Sequence, residues 1–256
     1  MADDATDTSL NALRQSVDRL HGLVAPMDDR QLEAQAYPKE WRVAEVLSHI
    51  GSAAVIMQER FTRGLRGESL PDDFSPAVWD AWNAKSPRAK ADDALVSDRA
   101  LLDALLHATA DERAGFRFSM GPMQFDFGQL VGLRLNEHTL HTWDIEVVGD
   151  PAAGLASTGT ALVIDNLGLI TRFTGKANAD GRVIQVHTTG PARDFSLTTG
   201  PDAVGLEAGG DGAPDLTLPA EAFIRLVYGR LDPQHTPSVD GDPALLDSLR
   251  AVFPGP

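Results

Sequence analysis

Residues 127–148 read FGQLVGLRLNEHTLHTWDIEVV, and the period of this stretch decides how the chain is understood. Side chains four apart on a helix lie one above the other on the same face. Glu137 and His141 therefore point at one spot, and Asp144, three residues on, lies on the same side. Leu133, Leu140, Ile145 and Val148 place an apolar face close to that polar stripe. A charge beside a core needs a partner or a metal. The competing reading is a solvated surface pair, worth only ~0.3 kcal/mol, and the stripe alone does not choose between them.

Upstream, His49 stands between Leu47 and Ile50 in a second amphipathic segment. His49, Glu137 and His141 together offer two imidazoles and one carboxylate. Three such ligands hold a divalent metal and leave one coordination position open for chemistry. On local sequence alone a hydrogen-bonded core histidine is the slightly better reading of His49. Oxygen and nitrogen donors without sulfur fit zinc, with iron, nickel or manganese as further options. The pair of histidines around a glutamate on one helix, which marks a standard zinc protease, is absent. Asp144 is placed to accept a ring proton or to pair with a nearby base; a salt bridge, for instance with Arg134, is the alternative. Glu45, four before His49, is expected to be a helix-start carboxylate favoured by the dipole rather than a fourth ligand. His138 points about a quarter-turn away from Glu137 and is an outside candidate. His21, His107, His187 and His235 have no partner at ligand spacing.

Composition narrows the function classes. The chain has 256 residues, 43% hydrophobic and 23% charged, as expected of a soluble globular protein. Its formal net charge is −15 and no run of Lys or Arg stands out, which argues against nucleic acid or an anionic membrane as a partner. The N-terminal MADDATDTSL lacks the basic and apolar regions of a secretion signal. No run approaches the ~20 apolar residues of a membrane span. A cytoplasmic location is expected. The chain has no cysteine. Disulfides and thiolate metal ligands are therefore excluded, and any thiol in the chemistry must come from a cofactor or substrate.

The first 150 residues read as four long amphipathic helices. One carries Leu10, Leu13, Val17, Leu20, Leu23 and Val24. The next runs from Arg42 or Val43 to about Arg66, the third from Ala89 to Glu112, and the fourth from Phe127 to Val148. Glu68–Pro76 reads as a loop, Pro76 opens a short helix with Trp79 and Trp82, and Gly115–Phe127 loops back. Trp79, Trp82 and Phe127 are expected in the core rather than in a pocket. The prediction is an antiparallel four-helix bundle, an architecture that places metal sites between facing helices. Composition shifts at Gly149-Asp150-Pro151. Beyond it come a helix over 157–173, short strands over 182–188, 195–199 and 215–218, a helix over 220–228 ended by Gly229, a turn at 239–242, and a last helix over 243–252. The expected fold class is α+β in two domains: a bundle over 1–150 and a small α+β domain over 151–256.

Two sets of residues carry a family resemblance. Trp41-x7-His49 in EWRVAEVLSHIGSA, followed by Glu137-x3-His141-x-x-Asp144 in NEHTLHTWDIEV, resembles the mycothiol-dependent maleylpyruvate isomerase family, part of the wider DinB-like metal-bundle superfamily. LTLPAEAFIRLVYGRL with VDGDPALLDSL resembles the sterol-carrier-like domain that many members append. The resemblance implies an actinobacterial source, zinc held by His49, Glu137 and His141, and mycothiol as thiol cofactor. It also implies either cis–trans isomerisation of maleylpyruvate or, as in thiol-transferase relatives, S-transfer. The C-terminal half is then expected to close over the bundle and supply a cation for a carboxylate of substrate or cofactor, with Arg230 as first candidate and Arg225 as second. For Arg230 a surface arginine at a helix C-terminus is the equal alternative.

The expected partners are a small-molecule substrate and a low-molecular-weight thiol, with the chain as monomer or homodimer. Two rivals stand beside this reading. One is a metal-dependent hydrolase using zinc-bound water. The other is a non-catalytic protein with a structural metal and an apolar ligand in its C-terminal domain.

Overall fold

The computed structural model describes residues 2–121, 123–178, 181–210 and 212–255, with Ala2 and Asp3 described by backbone alone. The chain divides into two compact units, 1–150 and 151–256.

The first unit contains α1 (Ala2–Val24), α2 (Asp29–Leu32), α3 (Val43–Gly64), α4 (Phe74–Asn83), α5 (Pro87–Leu106), α6 (Ala110–Gly115), the hairpin β1 (Phe118–Met120) and β2 (Met123–Phe125), and α7 (Phe127–Gly149). The long helices α1, α3, α5 and α7 form a four-helix bundle, as predicted, in the spatial cycle α1–α7–α3–α5, but two of its neighbouring pairs are parallel where antiparallel ones were expected. Their side-chain pairings give the directions. Ser16 meets His138 and Arg19 meets Glu146, so α1 and α7 run parallel. Glu45 meets Lys90, and Gly51 lies against Ala94, so α3 and α5 also run parallel. Phe61 contacts Phe127 while His49 meets Glu137, so α3 and α7 are antiparallel, as are α1 and α5. Two consecutive helices in one direction need a return path, and residues 65–86 with α4 provide it.

Local sequence explains most boundaries. Asp126 accepts from the Gln129 N–H and the Gln129 side chain accepts from the Asp126 N–H, a reciprocal cap that starts α7. Glu45 accepts from the Arg42 N–H at the start of α3, the helix-start role expected of it. The predicted third helix is interrupted. Thr109 and Glu112 form a capping box that begins α6, so the helix over 89–112 ends at Leu106. The loop expected over 115–127 contains the β1–β2 hairpin. Trp82 is buried against Gly51, but Trp79 is half exposed and does not join the core.

α7 is buried on nearly every side. Leu130, Val131, Leu135, Leu140, Trp143, Ile145 and Val147 spread round it rather than forming one stripe. Between them runs a buried polar network. Asp98 of α5, 2% exposed, accepts from Arg134 Nη2 at 2.6 Å and lies 2.7 Å from His138 Nε2. Arg134 Nη2 also donates to the Ile50 carbonyl of α3 at 3.1 Å. Ser16 Oγ of α1 lies 2.7 Å from His138 Nδ1. With Nε2–H donated to Asp98, Nδ1 accepts from the Ser16 hydroxyl, and one imidazole satisfies both neighbours. Burial alone would raise the Asp98 pKa. Its close neighbours His138 and Arg134, and the hydrogen bonds they donate, override it and hold the carboxyl far below the usual range.

The second unit comprises α8 (Ser157–Val163), a 3₁₀ turn over Ile164–Asn166, α9 (Leu167–Thr174), β3 (Val183–Thr189), β4 (Arg193–Thr199), β5 (Val204–Ala208), β6 (Leu216–Pro219), α10 (Ala220–Val227), a 3₁₀ turn over Pro233–His235, β7 (Asp240–Gly241) and α11 (Pro243–Val252). The sheet order is β5-β4-β3-β6-β7, parallel only between β3 and β6. Ile184, Val186, Phe195, Leu197, Leu216 and Leu218 alternate inward, and α10 packs on them through Phe223, whose ring lies 5.4 Å from that of Phe195. β5 was not expected, and the 3₁₀ turn splits the helix predicted over 157–173. No helix among the described residues is long and apolar enough to cross a membrane.

Two predictions follow from packing and charge. A Cβ at Gly51 would sit 2.1 Å from Trp82 Cη2 and 2.9 Å from the Ala94 backbone. Gly51→Ala is expected to destabilise the protein by about 1–3 kcal/mol despite alanine's better helix propensity, read as a lower urea midpoint at unchanged slope. An equal or higher midpoint would show that the α3–α5 contact is looser than this. Asp98 has a lowered folded-state pKa, so its contribution to stability is present above the ordinary carboxylate value of ~4 and is lost as pH falls through that value and below. Urea titrations of wild type and Asp98→Asn between pH 3 and 6 should give a shallower pH slope in the variant; identical slopes would contradict the assignment.

Candidate metal centre

α3 and α7 bring the three predicted ligands together. His49 Nε2 lies 3.0 Å from Glu137 Oε2, and His141 Nε2 lies 3.5 Å from the same oxygen. The two imidazole rings meet edge to face at 4.5 Å. One potential ligand atom from each residue falls within 4.8 Å of the others. The core-histidine reading of His49 therefore gives way to one in which its ring faces the Glu137–His141 stripe.

Asp144 decides which nitrogen of His141 faces this spot. Its carboxylate, fully buried, lies 2.8 Å from His141 Nδ1. With the Nδ1 proton held by Asp144, Nε2 is the nitrogen turned toward Glu137 and His49, and it offers a lone pair to a cation once its own proton leaves. Arg134, the partner considered for Asp144, is instead engaged with Asp98. His138 belongs to that same network and not to the ligand cluster.

The charges respond to these contacts. Burial pushes the His49 pKa down, and the hydrogen bond it donates to Glu137 does not restore it. Burial also acts on His141, but its bonds to Asp144 and Glu137 prevail and raise its pKa. Burial would raise Glu137, yet hydrogen bonds from His141 and His49 and their charges bring it well below the usual range. The donors suit a divalent cation: one ionised carboxylate oxygen and two imidazole nitrogens already aimed at one point, with the outer nitrogen of one ring anchored.

The centre is open on one side. The side chains of His49 and Glu137 keep 34% and 41% of their surface, whereas His141 keeps 9%. Trp41 forms a wall. Its ring is 5.4 Å from His49 and stacks at 6.0 Å on His141. The loop before α3 holds it there: the Ala36 N–H donates to the Trp41 carbonyl, the Val43 N–H to Ala34, and the Tyr37 N–H to the Asp144 carbonyl. No periodicity in the sequence places Trp41 over the two imidazoles, because it precedes the helix and its position comes from the loop.

Arg225 and Arg230 belong to the second unit, and both are buried, 2% and 5% exposed. Arg225 grips Glu221 through Nε at 2.7 Å and Nη2 at 2.9 Å, and its Nη1 donates to the His235 carbonyl. Arg230 Nη1 donates to the Tyr228 carbonyl at 2.9 Å.

Comparison with known proteins bears on the family and the fold. Residues 13–146 match the family described as "Mycothiol maleylpyruvate isomerase N-terminal domain", and residues 167–248 match "MDMPI C-terminal domain". Among curated proteins none matches. The crystal structure of the mycothiol-dependent maleylpyruvate isomerase superposes with a TM-score of 0.66 at 13% identity, covering 92% of each chain. A histidine-to-alanine mutant of that enzyme gives the same TM-score at 12% identity and the same coverage. At such identity the superposition speaks for the fold, and the two domain matches, in order and over most of the sequence, carry the assignment: this chain belongs to the mycothiol maleylpyruvate isomerase family.

Proposed function

We propose that the protein is a zinc-dependent enzyme that uses mycothiol, or a thiol like it, to isomerise a maleylpyruvate-type substrate. The observation that carries this reading is the convergence of His49, Glu137 and His141 at an open site in a chain with no cysteine of its own. A divalent metal held there favours the thiolate over the thiol and so supplies the nucleophile. His49, with its pKa lowered by burial, is ready as a neutral ligand near neutral pH. Asp144 keeps the His141 ring turned so that Nε2 faces the centre. Trp41 shields one side while the exposed edge of His49 and Glu137 admits ligands. The substrate's activated double bond takes up the thiolate, turns as a single bond, and re-forms as the thiolate leaves. S-transfer uses the same activated thiol and is distinguished by its product. Arg230 is the proposed carboxylate-binding cation, ahead of Arg225, whose fork closes on Glu221.

Three outcomes test this. Wild-type protein reconstituted with zinc should hold about one ion per chain, and the Glu137→Ala/His141→Ala variant almost none, by elemental analysis; an empty wild type would remove the catalytic reading. Maleylpyruvate should be converted only when zinc and mycothiol are both present. Hydrolysis of ester or amide substrates without any thiol would instead favour zinc-bound water and a hydrolase-type site, and failure of Arg230→Ala to raise KM would release that residue from substrate binding.

Metal binding should also release a proton. A raised His141 pKa means that the metal-free site keeps its proton to higher pH, and the metal must displace it. Affinity should therefore climb with pH through that raised pKa and then level off. Calorimetry in buffers of different ionisation enthalpy reads the proton directly. Asp144→Asn should shift the rise to lower pH and weaken binding by roughly 10–100-fold; a pH-independent affinity would contradict the linkage.

A further inference from the structure

We infer that Asp98, on a helix that contributes no ligand, is the positioning residue of the metal centre; this rests on the metal reading above. Its carboxylate binds Arg134 and His138, the two α7 side chains that flank Glu137 in sequence terms, at 2.6 and 2.7 Å. Arg134 and His138 form one stripe of α7, while Glu137 and His141 form the next, about 60° round the helix. Turning one stripe turns the other.

Apolar packing does not set that turn. A helix with one apolar stripe has a single rotation that buries it. α7 is apolar round most of its circumference, so several rotations would bury similar area. Directional hydrogen bonds in a dry interior separate them, because any other rotation would leave Asp98 and Arg134 charged and unpaired. The same network fixes the register along the axis. Arg134 donates to the carbonyl of Ile50, the residue after His49, and so ties the two ligand-bearing helices together at the level of the centre. Ser16 completes the clasp from α1 through His138 Nδ1. Asp98 thus links all four long helices while touching no ligand.

The test compares Asp98→Asn, close to Asp98 in shape but without its charge, with Leu105→Ala, a cavity variant at a fully buried position seven residues further along α5. Both are brought to matched folded fractions, checked by circular dichroism. The first readout is zinc affinity. The second is the nuclear Overhauser contact between the His49 and His141 ring protons in metal-free protein, expected from the 4.5 Å ring separation. Asp98→Asn should lose at least about tenfold in zinc affinity and lose the ring contact, while Leu105→Ala keeps both. Retention of wild-type affinity and ring contact by Asp98→Asn would overturn the inference, as would equal losses in Leu105→Ala. A wild type that binds no zinc would refute the metal reading by itself, and the ring contact in the metal-free proteins would then decide the role of Asp98.

Discussion

The carboxylate of Asp98 is the buried charge around which the first unit is arranged. A lone carboxylate in that position would cost several kcal/mol. Arg134 and His138 remove most of that cost, and each in turn needs a second partner: the Ile50 carbonyl for one, the Ser16 hydroxyl for the other. One acid therefore commits groups from α1, α3 and α7 at once. Hydrophobic burial supplies the drive to collapse in this unit, through Leu20, Val46, Leu47, Ile50, Trp82 and Ile145 among others. It is not directional. The polar network is, and it lies in the layer next to the candidate metal centre.

The centre itself shows burial and pairing in opposition. His49 and His141 are both drawn out of water, which disfavours the imidazolium, yet they end with pKa values displaced in opposite directions. The difference is Asp144, which faces the outer nitrogen of His141, while among the described residues His49 has no such carboxylate behind it. The result is one donor of lowered and one of raised basicity on either side of an ionised Glu137. A divalent cation placed there would meet charge and prior orientation, beside an edge that is open.

Much of this was legible in residue spacing. The four helices, the break at 149–151 and the Glu137–His141–Asp144 stripe follow from period and composition. The Thr109-x-x-Glu112 signal that splits the third helix was also present, but the apolar period runs past it. The β1–β2 hairpin was missed because each strand has three residues, too few to show alternation. β5 was missed because Val204–Ala208 holds only two inward apolar residues, with Gly205 between them and the charged Glu207 after them. Trp79 was misplaced because a large aromatic on a short helix looks like core from sequence, whereas α4 buries only its Trp82 side.

The chain's own sequence determined which side chains share a helical face, since 3.6 residues per turn is a local property of the backbone. It therefore determined that Glu137 and His141 act at one place, and that no protein thiol can join them. Only the tertiary structure decided that His49, 88 positions away, meets that face rather than the core. Only it decided that Arg134 serves Asp98 instead of Asp144, and that Trp41 walls the site. Those outcomes depend on helix order, direction and rotation, which are set by long-range packing and by buried hydrogen bonds between groups with no relation in sequence.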